Sequence, residues 1–188
     1  MEPVWALIGV FVGGIITWFV QWDHGRRDRA HQERLAAMQI ALQLRTWLRE
    51  ATYILQSHSV YEGGNPGDDP SDATLPKIPS FPFEQSLSDV SRLSRESAKR
   101  VFGLVENLQS AWREAEFSSF VADWEAVEYF DARVAGTIID AATVYADLAT
   151  WVGWNGEALP ASELEDMRKR ASKLNDIRKR ASNVKLQV

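Results

Sequence analysis

A chain of 188 residues without a single cysteine has no disulfides, no thiolate nucleophile and no cysteine-bound zinc or iron–sulfur centre. Its length allows one modest hydrophobic core, and 45 % hydrophobic with 25 % charged residues is an average globular composition. The formal charge of -5 hides a strong polarity: residues 1–56 carry 6 basic against 5 acidic side chains, 57–166 carry 7 against 20, and 167–188 carry 8 against 1.

Residues 3–22, PVWALIGVFVGGIITWFVQW, hold no charge. About 20 apolar residues in a helix cover roughly 30 Å, the thickness of a bilayer's hydrocarbon layer. Trp5, Trp18 and Trp22 stand near its ends, where indole rings favour the interface. A cleaved signal is disfavoured by Glu2, by the absence of a basic start and by the lack of a small-x-small site. The expectation is a transmembrane anchor over 1–22. Arg26, Arg27, Arg29 and Arg34 follow it, which would place the C-terminal domain in the cytoplasm and the N-terminus outside an inner (plasma) membrane. Gly9, Gly13 and Gly14 form a small-residue face suited to helix–helix contact.

Residues 23–58 lack proline, and after Gly25 lack glycine, so the same helix should continue outward. Ala37, Ala41, Leu44, Leu48, Ala51 and Leu55 recur at spacings of four and three, one apolar face. His24, Asp28 and His31 share a side but offer too few ligands for a metal.

Residues 59–83 hold five of the seven prolines, with Gly63, Gly64 and Gly67, and should be an irregular acidic loop. Asp68, Asp69 and Asp72 lack the spacing and closing glutamate of a calcium loop. Leu75, Ile78, Phe81 and Phe83 alternate with prolines, either as a lid on the body or as a docking strip for a partner.

Two more helices are expected within 84–152. One should begin near Ser86 with a Ser-x-x-Asp capping box to Asp89 and carry Val90, Ser94, Ser97, Val101, Leu104, Leu108, Ala111 and Ala115 inward. The next is the strongest periodic signal: Phe120, Trp124, Val127, Asp131, Val134, Ile138, Ala141, Tyr145, Leu148 and Val152. A second row, Ala132 to Ala149, makes this helix apolar on two sides, as a central helix is. Asp131, its one charged member, should be paired or lie at the stripe's edge. Trp151 and Trp154 at its tip are either packed beneath the body or a second docking patch.

A basic helix should fill 160–188, opened by Ser162 and Glu165 as a capping box. It writes RKRAS twice, at 168–172 and 178–182. Arg168, Lys169, Arg170, Lys173, Arg178, Lys179 and Arg180 are the candidate contacts to an anionic surface. Docking of this helix on the acidic body competes with that reading. In an antiparallel arrangement each helix reverses the last, which would return the basic helix toward the bilayer.

No HExxH, P-loop, GxSxG, dinucleotide glycine pattern or repeated ExxH occurs, so neither an enzyme nor a cofactor is expected. The fold expected is all-α: a single-pass helix running into a cytoplasmic bundle of about four helices. The function expected is a membrane-anchored scaffold or accessory subunit meeting a protein partner or a further copy of itself. The alternative is a membrane-tethered module binding anionic lipid, an acidic protein or, ranking last, nucleic acid.

Overall fold

The computed structural model describes residues 2–61, 75–82, 87–117 and 123–177; within them the side chains of 2–17, 19, 20, 59–61, 87, 116, 117 and 123–125 are outside the description. Among the described residues five helices follow one another: α1 (Glu2–Tyr61), α2 (Leu87–Val90), α3 (Arg95–Phe117), α4 (Asp123–Val152) and α5 (Ala161–Ser172). Residues 174–177 add one more helical turn.

α1 is unbroken over 60 residues, about 90 Å at 1.5 Å per residue. Its spacing of four and three explains which part enters the body. Ala37, Ala41, Leu44, Leu48, Ala51 and Leu55 are all fully buried, joined by Ala36, Ile40 and Trp47. None of residues 21–35 is buried, so that stretch extends past the body.

Among the described residues no helix is long and apolar enough to cross a membrane. This corrects the expected anchor over 1–22 and everything that followed from it. The single-pass topology, the inner-membrane location with the N-terminus outside, the integral membrane partner and both membrane-attached functions are overturned. The physical reason is visible in the described part of α1, where charges cluster from Asp23 to Arg34 and again from Arg45 to Glu50, and the apolar residues between and around them occupy faces, not the whole circumference.

α4 is the hub, packing against α1, α3 and α5. Of its main stripe, Val127, Asp131, Val134, Ile138, Ala141, Tyr145 and Leu148 are buried and Val152 is half-buried, while Phe120 and the Trp124 side chain lie outside the description. Of the second row Ala132, Ala135 and Ala149 are buried, Ile139 and Ala142 half-buried and Ala146 exposed. Chain directions follow from the polar contacts. Arg34 Nη2 donates to the Val152 carbonyl at 3.0 Å, while Leu55 and Asp131 meet at one guanidinium. α3 touches α4 through Arg100 with Asp147 and Glu114 with Tyr129. α4 touches α5 through Tyr145 with Gly156 and Asp131 with Arg170. Thus α1, α3 and α5 run one way and α4 runs the other.

This corrects the expected alternation. α3 does not reverse α1; the segment between Tyr61 and Arg95 crosses back over the body. α3 is about 34 Å long by its helical rise, and at roughly 3.3 Å per extended residue the crossing needs about ten residues. The long loop is therefore a crossover, and its proline-rich second half is seated on the core. Ile78 and Phe81 are buried, and the Phe81 ring stacks on Trp47 with centroids 4.0 Å apart. The Trp47 indole N–H donates to the Pro79 carbonyl at 2.7 Å. A second consequence is that α5 carries its basic residues to the end of the body far from Arg34, not back along α1.

Helix ends also differ from expectation. Ser86 lies outside the described residues, and helical structure stops after Val90. Ser91 Oγ donates to the Ser88 carbonyl at 2.7 Å, and Ser94 Oγ accepts the Ser97 N–H at 3.2 Å. Serine hydroxyls compete with the helical ladder and favour caps, so Ser94 starts a new helix. α5 begins one residue before Ser162. Pro160 is its N-cap without a side-chain bond, and its carbonyl accepts the Glu163 and Leu164 N–H groups, both at 3.1 Å. Ser162 thus falls inside the first turn.

α4 ends in a Schellman turn: the Trp154 N–H reaches the Ala149 carbonyl at 2.7 Å, and the Gly153 N–H reaches Thr150 at 3.1 Å. Gly153 has φ 80°, and a Cβ there would meet nothing closer than Arg34 Nη2 at 3.8 Å. The cost of Gly153→Ala is then backbone strain alone, about 1–2 kcal/mol. Urea unfolding should show that loss without a change in slope.

Candidate functional site

The basic segment and the acidic body meet at Arg170. Its guanidinium lies 3.7 Å from Asp131 Oδ2, 3.1 Å from Asp166 Oδ2 and 3.5 Å from the Leu55 carbonyl. Both members of the cross-helix pair are well shielded, the side chains of Arg170 and Asp131 being 18 % and 10 % exposed. A charge inside α4's apolar stripe is tolerable because a guanidinium from α5 reaches it. Met167 is fully buried beside it, and Ile177 packs with Tyr129, Ala132 and Leu174 in a small satellite cluster.

The other basic candidates separate from Arg170. Arg168 and Lys169 are exposed, Arg168 facing Glu165 one turn back at 3.6 Å, and Lys173 is exposed. Arg178, Lys179 and Arg180 lie outside the described residues. Around Arg170 there is a cleft of about 190 Å³ lined by Glu128, Asp131, Asp166, Lys169 and Lys173. Its charges are of both signs and already neighbours, an arrangement that holds α5 in place.

A larger cleft, about 390 Å³, opens at the α4–α5 elbow, between Ala146, Trp154, Glu157, Leu159 and Leu164. Tyr145, at its base, donates its hydroxyl to the Gly156 carbonyl at 2.9 Å. Trp154 lines this cleft half-buried, and Trp151 is exposed. Of the loop strip, Leu75 packs against the core and Ile78 and Phe81 are within it; Phe83 lies outside the described residues. So do the side chains of Gly9, Gly13 and Gly14.

Polar contacts join α3 to α4 at both ends, which the helical periods alone do not reveal. Tyr129 donates its hydroxyl to Glu114, and Arg133 reaches Ser110 Oγ at 2.7 Å and Glu114 at 3.5 Å. Arg100 pairs with Asp147 at the opposite end. Nearby, partial burial raises the Asp140 carboxyl above its ordinary 3.8, with Arg100 opposing the shift. The folded state therefore resists the charged form, a penalty present at neutral pH and lost as pH falls below the unfolded value. Asp140→Asn should raise Tm at pH 7 by no more than about 2 °C, given the exposure of the group. The difference should vanish near about pH 3 in a thermal melt series.

His24, Asp28 and His31 are exposed, and among the described residues no group of three histidine or acidic side chains could hold a metal ion. Their face of α1 has a different interest. Continuing it C-terminally gives Leu35, Met38, Leu42, Thr46, Arg49 and Tyr53, all exposed. Leu35, Met38 and Leu42 retain 54 %, 46 % and 43 % of their surface, and Tyr53 73 %. They sit three and four residues apart, on the side of α1 opposite Ala37, Leu44, Leu48 and Leu55. That spacing is the seam of a two-helix contact. α1 thus has two apolar faces, one buried in the body and one facing out. No family model, no curated protein and no solved structure matches this chain.

Proposed function

We propose that this protein is a non-catalytic helical pairing module, in which the bundle holds α1 rigid and the outer face of α1 docks a second copy of the same helix. The observation that carries this is the second apolar face, Leu35, Met38 and Leu42, left exposed on a helix whose opposite side is fully committed to the core. A three-and-four spacing is self-complementary, since each projecting side chain fits between those of an identical helix. Two identical patches facing each other also form a closed pair. The polar clusters support the same reading: Arg170 with Asp131, Arg133 with Glu114 and Arg100 with Asp147 each join two helices of the body.

A patch of three half-exposed side chains predicts modest affinity, a Kd on the order of micromolar. Light scattering across a dilution series of the full chain should give a mass rising from 21.2 kDa toward twice that value. The triple variant L35S/M38S/L42S should stay at the lower mass with unchanged far-ultraviolet circular dichroism, because none of the three contributes to the core. A parent that remains single at high concentration would end the proposal, as would a triple variant that still pairs.

A further inference from the structure

Resting on that pairing, we infer that the two copies of α1 lie antiparallel, with the two-fold axis passing between Met38 and Gln39. The argument is electrostatic. The same exposed face carries Asp28 at one end and Arg49 at the other, seven residues beyond Leu35 and Leu42 respectively. In a parallel pair each layer meets its own kind, so Asp28 would face Asp28 and Arg49 would face Arg49. Like charges directly apposed oppose association. Turning one helix round places Leu35 opposite Leu42 of the second copy, and Asp28 opposite its Arg49. Met38 meets its equivalent at the axis, and Tyr53 falls level with His24. Apolar residues then meet apolar residues at the centre, and opposite charges close both ends. The cost of the reversal to packing is small, because helices pack in either direction with the same ridge geometry.

The absence of cysteine makes the orientation directly measurable. Single cysteines are placed at exposed positions of the full chain as M38C, L35C and L42C, and each is treated with a short bis-maleimide. M38C lies at the axis and should cross-link in either orientation. In the antiparallel pair two copies of L35C are offset by about 10 Å along the helix in addition to the roughly 8–10 Å between axes. L35C alone and L42C alone should therefore give little product. An equimolar mixture of the two should give at least about tenfold more, an expected discrimination of about 1.4 kcal/mol. A second set carries the charges: D28R should weaken pairing, R49D should weaken it, and D28R/R49D should restore it. If M38C gives no cross-link, the pairing itself fails. If M38C cross-links, and L35C alone does so as well without gain from mixing, pairing stands and the antiparallel arrangement is overturned.

Discussion

Trp47→Ala should cost about 4 kcal/mol in urea unfolding, among the largest effects of any single substitution in the body. Three losses coincide. The indole is 1 % exposed, and removing a buried aromatic ring leaves a cavity worth roughly 3–5 kcal/mol. Its stacking on Phe81 at 4.0 Å adds up to about 1 kcal/mol beyond area burial. Its N–H also satisfies the half-buried Pro79 carbonyl at 2.7 Å, and losing that bond costs about 1 kcal/mol. Partial collapse of the site keeps the total below the sum. Trp47→Phe retains much of the ring and loses the hydrogen bond, so it should cost about half as much. The double variant Trp47→Ala/Phe81→Ala should cost less than the two single changes added together, because the crossover loses the same anchor once. Additive effects would show that the loop is held elsewhere. The consequence for architecture is specific: Trp47 is where α1 grips the segment that allows α3 to run parallel to it.

How much of this was legible beforehand depends on what kind of information each feature needs. Burial of one helix face requires only a period, and the period of α1 is unambiguous. All six residues from Ala37 to Leu55 that repeat at four and three are fully buried. The α4 stripe is buried from Val127 to Leu148 and half-buried at Val152, and Asp131 within it is a paired charge. Direction requires more than a period, since an amphipathic helix reads alike from either end. The parallel course of α1 and α3 is set by the crossover, and only its unusual length signalled it. A helix does begin at Leu87, next to Ser86, but it is interrupted for a local reason: several serines compete, and Ser94 begins the long helix. Pro160 supplies the first acceptor of α5 by its carbonyl, a role invisible to a search for capping side chains. The outer face of α1 was present in the sequence at Leu35, Met38 and Leu42. It was masked because the stronger inner stripe accounts for the helix by itself. The uncharged run at 3–22 carried the membrane expectation, whereas the described apolar residues of α1 form faces on an otherwise charged helix.

Arg170→Ala should destabilise the fold by about 2–3 kcal/mol, and Arg168→Ala, two residues away in the same RKRAS copy, by less than about 0.5 kcal/mol. The contrast follows from shielding. Arg168 and Glu165 are an exposed pair on one helix, with side chains 64 % and 56 % exposed, and such pairs contribute little. Removing Arg170 leaves the Asp131 carboxylate in a stripe of apolar side chains, 7 % exposed as a residue, with its cross-helix cation gone. Loss of one member of a shielded ion pair costs up to several kcal/mol, because the remaining charge is weakly solvated. The 3.7 Å separation of this pair places the estimate toward the lower end. Replacing both partners, Arg170→Met with Asp131→Leu, should return stability to within about 1 kcal/mol of the parent, because the stripe then continues without a charge to neutralise. Should Arg170→Ala cost no more than Arg168→Ala, the pair would be an accident of proximity, and α5 would be held by its apolar contacts, Leu164, Met167 and Ala171. Should the double replacement remain as damaged as the single one, the loss would come from the guanidinium's contacts with Asp166 and Leu55 rather than from the Asp131 carboxylate. In either arrangement the first RKRAS copy divides its labour: its third residue faces the protein's own acidic helix, while Arg168 and Lys169 keep their charge at the surface.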